Sequence, residues 1–154
     1  MSTERTILTA IQTQIQNVNG AGSYTFTLSG DDQVVIGEAF QPHRIPGAYV
    51  YFLNVTTAQT PGTTRLNAFD RIMNCQVEAW TAAENSTPGN AALEAVDLMD
   101  DIMRALEADR SLDGNARDIE ISASALDGQE LDRGPGLGLA ILSLVVRYTE
   151  AAGA

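Results

Sequence analysis

The stretch that most constrains the fold is "LGLAILSLVVRYTE", residues 137–150. Leu, Ile and Val occupy both alternating sets of positions, so a strand built from it is apolar on both faces. Such a strand belongs inside a sheet, hydrogen-bonded on both sides and covered above and below. The rest of the chain has to supply the neighbouring strands and the cover.

It has the material to do so. Ile7, Leu8, Ile11, Ile15 and Val18 recur at helical spacing after Ser2, a candidate N-cap, and before Asn19-Gly20, a stop signal. "SYTFTL" and "QVVIG", joined by "SGDD", predict a hairpin from about 23 to 37. "AYVYFLNV" predicts another strand. "TTAQTPGTTR", residues 56–65, is polar with Pro-Gly at its middle and predicts an exposed loop or hairpin arm. From Asn74 to Thr81 the chain alternates, with Cys75, Val77 and Ala79 on one side and Gln76, Glu78 and Trp80 on the other. Trp80 fits either a core position or a protein contact.

"STPGN" then leads to a second helix capped by Asn90 and running to about Ala108, with an apolar stripe of Leu93, Val96, Met99, Ile102 or Met103, and Leu106. Glu94, Asp97, Asp101 and Glu107 are expected on its solvated side, and Asp100 and Arg104 form an i,i+4 pair. "RDIEISASAL" returns to a period of two, and "AAGA" is expected to fray. Nothing in the 154 residues suggests a second domain. The predicted class is α+β: one domain, residues 1–154, with a mainly antiparallel sheet of about four to six strands and two helices on one face. The opposite face is expected to be solvated or buried by a partner.

The reactive inventory is sparse. All nine cations are Arg, which removes a phosphate-loop Lys, Schiff-base chemistry and a Lys general base. One His and one Cys cannot build a two-His or Cys-rich zinc site, and Cys75 has no disulfide partner in the chain. A Ser-His-Asp triad would need His43, which sits in "QPHRIPG", a segment with loop composition. The chain is therefore expected not to be an enzyme and to need no cofactor. Its formal charge is −11, with −3 in residues 1–84 and −8 in 85–154. Such a surface repels phosphate backbones, so tight DNA binding is not expected, although an acidic wall could let DNA pass without sticking. No apolar run approaches a membrane span, and "MSTERTILTAIQTQIQ" lacks the pattern of a secretory signal; the cytoplasmic side is expected.

"DRSLDGNARDIE", residues 109–120, places Asp109, Ser111, Asp113, Gly114 and Glu120 at EF-hand positions 1, 3, 5, 6 and 12. The loop would also need an exiting helix, yet Ile119, Ile121, Ala123 and Ala125 follow strand spacing, and Ala116 stands where a larger apolar residue belongs. The alternative is a helix end, a tight turn with Gly114 at positive φ, and a strand start. A calcium-binding module through Asp109–Glu120 is the rival reading. "RGPGLGLA" carries Gly134, Gly136 and Gly138 but precedes a strand instead of a helix, so a loop is predicted in place of a dinucleotide site.

The helix ending in "MRALEADRSLDGNARDIEI", followed by an acidic loop and "GLAILSLVVRY", resembles the tail terminators of long-tailed bacteriophages and gene-transfer particles. In that family a helix runs into D-x-[ST]-L-x-G-x-[AV]-x-x-[VI], then a strand, a loop and a closing strand that ends near an aromatic residue. Asp109, Ser111, Leu112, Gly114, Ala116 and Ile119 match; Asp113 stands where the family often has Gly. The resemblance implies a structural turn in which Leu112 plugs the core and Asp109 tethers backbone amides. It implies further a subunit of a homo-oligomeric, hexameric ring on the tail tube. That ring would end tube polymerisation and meet the head-completion or stopper proteins, with DNA passing through the pore and no membrane involved. The particle would assemble in the host cytoplasm. Ring closure needs two unlike patches per subunit. The "HRIPG" loop (His43, Arg44) and the polar arm (Thr60, Pro61, Thr64, Arg65) are the expected contributors. A neck adaptor or other tail-completion protein is the neighbouring alternative.

Overall fold

Ser2 opens the first helix, its Oγ accepting the Arg5 amide at 3.2 Å, and α1 runs Thr3–Gln16. Ile7, Ile11 and Ile15, one turn apart, are buried along its inner face. The computed structural model describes residues 2–37, 44–58, 68–82, 90–127 and 137–151. Within them, β1 (Val34–Ile36), β2 (Gly47–Ala58), β3 (Ala68–Ala82), α2 (Asn90–Glu107), β4 (Asp118–Asp127) and β5 (Leu137–Ala151) follow. No helix among these residues is long and apolar enough to cross a membrane.

The strands form one sheet in the order β1-β2-β3-β5-β4. β1 runs parallel to β2, and every other pair is antiparallel. β5 lies inside the sheet between β3 and β4, as its two-sided apolar sequence predicts. Both helices cover one face, giving the expected α+β architecture: α1 packs on β1 and β2, whereas α2 lies over β3, β5 and β4. Met73, Cys75, Val77 and Ala79 of β3 and Ala140, Leu142, Leu144 and Val146 of β5 meet the helices in the main core.

Several details differ from the sequence-based expectation. Residues 23–37 do not form a hairpin: apart from one isolated bridge between Asn19 and Thr27, the chain there is irregular until the short β1, which pairs with β2 instead. The alternation in "SYTFTL" is real, since Leu28 is fully buried and Tyr24 and Phe26 pack against the core. However, the amides of Thr25 and Phe26 donate to the buried Asp101 carboxylate, at 2.9 and 2.7 Å for the shorter bonds, instead of to a partner strand.

Helix α2 is also rotated from the predicted stripe. Ala91, Ala95, Leu98, Asp101, Ile102, Ala105 and Leu106 face inward, while Leu93 and Val96 are exposed. Asn90 is the first residue of the helix, one place later than a cap. The cause of the rotation is close packing. A Cβ on Gly138 of β5 would lie 2.2 Å from the Ala91 carbonyl oxygen and 3.1 Å from the Ala95 Cβ. At this crossing, in the first turns of α2, only small residues fit against the strand, so the larger Leu93 and Val96 turn outward.

The opposite face is not left wholly to solvent or a partner. Tyr49, Trp80 and Leu139 are buried within this chain, with Val35, Leu137 and Ile141 packed around them, which places Trp80 in a second core. The "STPG" part of "STPGN", Gly134, Gly136 and the "AGA" end of the tail lie outside the described residues.

Gly138→Val is expected to destabilise the protein by roughly 1–3 kcal/mol or more, because the added side chain drives α2 off the sheet. Ser143→Ala, at an exposed position of the same strand, should stay within about 0.5 kcal/mol of wild type. Denaturant unfolding of both variants measures the difference.

Candidate functional site

Past Glu107 the helix meets residues that favour its end. Leu112, Asp113 and Gly114 take φ values of 50°, 59° and 78°, three consecutive left-handed residues. Gly does this freely, whereas Leu and Asp are strained there by roughly 1–2 kcal/mol each. Asp113 thus holds a left-handed position without the conformational freedom of glycine.

Asp109 organises the bend. Its Oδ1 accepts from the Ser111 amide at 3.0 Å and the Ser111 hydroxyl at 2.6 Å, and its Oδ2 accepts from the Asp113 amide at 2.8 Å. Ser111 Oγ in turn accepts from the Gly114 amide at 3.1 Å. These bonds hold the Asp109 carboxyl below its usual pKa, the Ser111 hydroxyl contributing most, followed by the Asp113 and Ser111 amides. The Leu112 side chain is fully buried in the main core, offsetting its backbone strain. Arg110 clamps the exit, donating to Asp118 at 2.8 Å and to the Ile119 carbonyl.

This geometry is not that of an EF-hand. The chain leaves the turn as β4, so Glu120 lies on the sheet and pairs with Arg147 at 3.1 Å. The helix that would carry a twelfth-position ligand is absent from that place. No cluster of three or more metal-ligating side chains occurs among the described residues.

A second polar cluster, which sequence reasoning missed, ties the ends of the chain together. Tyr148 donates to Glu4 at 2.6 Å, and Arg71 pairs with Glu150 at 2.7 Å and with Glu4 at 3.5 Å. The Tyr148 bond is the main cause of a lowered Glu4 pKa; burial and that same bond raise the Tyr148 pKa. Gln33, also missed, clasps Gly30, Thr27 and Pro46 through three hydrogen bonds of 2.7 to 3.0 Å. The Glu4, Arg71, Tyr148 and Glu150 contacts join residues far apart in sequence and leave no local spacing to read. Cys75 is buried, which pushes its thiol up to about 12 and leaves it without nucleophilic character at neutral pH.

Of the predicted interface residues, Arg44 is exposed and its guanidinium donates to the Asp31 carbonyl, which ties its own loop to the preceding turn. His43, Thr60, Pro61, Thr64 and Arg65 lie outside the described residues. A surface that sequence reasoning did not anticipate is an open groove of about 780 Å³ between α1 and β2, floored by Leu8, Ile36, Phe52 and Val55. A β-bulge between Phe52 and Asn54 creates it. Phe52 lies opposite Cys75 and Val55 opposite Met73, so both side chains share the helix face, although their spacing in a regular strand would separate them.

Neither a protein-family model nor a curated protein matches this chain.

Leu112→Ala should lower stability by about 2–5 kcal/mol, measured by denaturant unfolding. Asp109→Asn should be less stable than wild type at neutral pH. Because the folded pKa of Asp109 lies below the unfolded one, that advantage is present above about pH 4 and is lost as pH falls through the folded value. The stability gap between the two proteins should therefore close in acid. For calcium, the melting temperature is expected to be the same with and without millimolar Ca²⁺; a rise that disappears in Asp109→Ala would restore the ion-binding reading.

Proposed function

We propose that this chain is a structural virion protein that forms a ring at the head-proximal end of a phage tail tube, ends tube polymerisation and joins the tail to head-completion proteins. The observation that carries this reading is one continuous unit. Helix α2 runs into the Asp109-held turn, Leu112 plugs the core, and β4 leads back to the central β5, which reaches Tyr148 near its end. This is the element order of the resembled tail terminators, with the matching residues Asp109, Ser111, Leu112, Gly114, Ala116 and Ile119 in the turn and the strand start.

The surface chemistry supports the same reading. A subunit of charge −11 places negative potential around any pore it lines, which favours DNA passage over adhesion. The buried Cys75 and the absence of Lys leave few groups for covalent chemistry. In a ring the contacts run head to tail, so one subunit offers two unlike patches. The exposed face of α2 and the α1/β2 groove are such a pair.

The test is reconstitution. Tube subunits of the particle that encodes this chain, polymerising in its presence, should give tubes of limited length with a six-fold ring visible at one end by electron microscopy. Tubes that grow equally long with and without the protein, and bear no ring, would refute the proposal.

A further inference from the structure

We propose that the α1/β2 groove receives the exposed face of α2 from a second copy of this chain, and that Arg5 and Asp97 pair across that contact. The inference rests on the ring reading above and names the contact that closes the ring.

The groove is apolar where it is open: Phe52 is 47% and Ile36 39% exposed, with Leu8 and Val55 beneath them. Arg5 stands on its rim. Among the described residues the other arginines are committed. Arg71, Arg104, Arg110, Arg117 and Arg147 each pair with a carboxylate, and Arg44 donates to a carbonyl. Among the described residues Arg5 has no side-chain hydrogen bond or ion pair. In a chain of charge −11, an unpaired guanidinium beside an apolar trough fits an occupant that is apolar and carries a carboxylate.

Helix α2 presents such a surface. Leu93 is 65% and Val96 45% exposed, three residues apart on one face, and the exposed Asp97 follows one turn after Leu93. Asp97 too has no side-chain partner among the described residues, unlike Asp100, which pairs with Arg104 at 3.0 Å. Anchors at i, i+3 and i+4 are what a groove reads from a docked helix.

Position on the fold favours a second copy over a different protein. The groove sits at the β1/β2 margin of the sheet, while α2 lies over β3, β5 and β4. Patches at different ends of one subunit cannot meet within it, yet they can meet from one copy to the next, giving the heterologous contact that closes a ring.

Charge exchange tests this. Arg5→Glu and Asp97→Arg, made separately, should each weaken self-association by about tenfold or more, while the double variant, with the pair reversed, should recover it. Both positions are exposed, and circular dichroism melts identify any variant that fails to fold. Light scattering gives the assembly mass, in solution and on tail-tube ends. Single variants that lose the ring and a double variant that regains it support the contact. A wild-type ring whose single variants assemble equally well overturns the contact and leaves the ring standing. Loss in both singles without recovery in the double also overturns it, and assigns these residues to other partners such as the tube or head-completion proteins. A wild-type protein that stays a monomer in solution and on tube ends overturns the contact and the ring together.

Discussion

The close seating of α2 on the centre of the sheet determines much of the rest. Ala91 and Ala95 lie against Gly138, where a single added carbon would reach within 2.2 Å of the helix backbone. A helix that near the sheet must turn its small side chains inward, and the larger residues on the other side of the same turn are left facing out. The exposed Leu93 and Val96 are therefore a consequence of tight packing, not a surplus of apolar residues. The same rotation carries Asp101 inward, where its carboxylate supplies acceptors for the Thr25 and Phe26 amides. A buried carboxylate is costly unless it is hydrogen-bonded, and loop amides drawn into a part-buried position lose water and need acceptors; each resolves the other's deficit.

Much of the architecture was legible because it is written in local periods. Two-sided apolarity identified β5 as central, alternation identified β3 and β4, and the isoleucine spacing with Ser2 identified α1. The failures have one origin. An extended apolar-polar alternation shows which side chains are buried, but not what binds the backbone, so "SYTFTL" reads as a strand although Asp101 takes its amides. A helical stripe chosen by hydrophobicity favours Leu and Val over Ala, and close packing reverses that preference. The α1/β2 groove was illegible for a related reason: it depends on a bulge that puts Phe52 and Val55 on one face, and a bulge changes register without changing composition.

The Asp109 turn shows how one set of residues can satisfy either an ion or a backbone. Acidic and hydroxyl oxygens at short spacing are what a hard cation requires, and they are also what the amides of a left-handed bend require. What separates the two outcomes lies outside the oxygen spacing. Leu112 inserts into the core, so the bend is fixed from the inside by apolar burial and needs no ion to hold it. Beyond it, Arg117 donates its amide to the Arg147 carbonyl at 2.7 Å, which begins the β4–β5 ladder and commits the chain to a strand. Glu120 then belongs to the sheet, two residues past the strand start.

Electrostatics links this local order to the surface. A chain with an excess of acids gains most from each arginine when the cation sits among carboxylates, and five of the seven described arginines follow that arrangement, several of them bridging elements: Arg110 holds the turn to β4, Arg117 reaches Asp70 on β3, and Arg71 joins α1 to the end of β5. Partly exposed pairs of this kind contribute little stability singly, so their main effect is to fix which elements adjoin. Once those cations are engaged, the remaining surface is acidic, and any approach of one copy to another brings like charges together at a cost. Contact between copies then requires apolar burial large enough to offset that repulsion, and it favours the place where a cation is still unengaged. On the described surface both conditions coincide beside Phe52 and Ile36, next to Arg5.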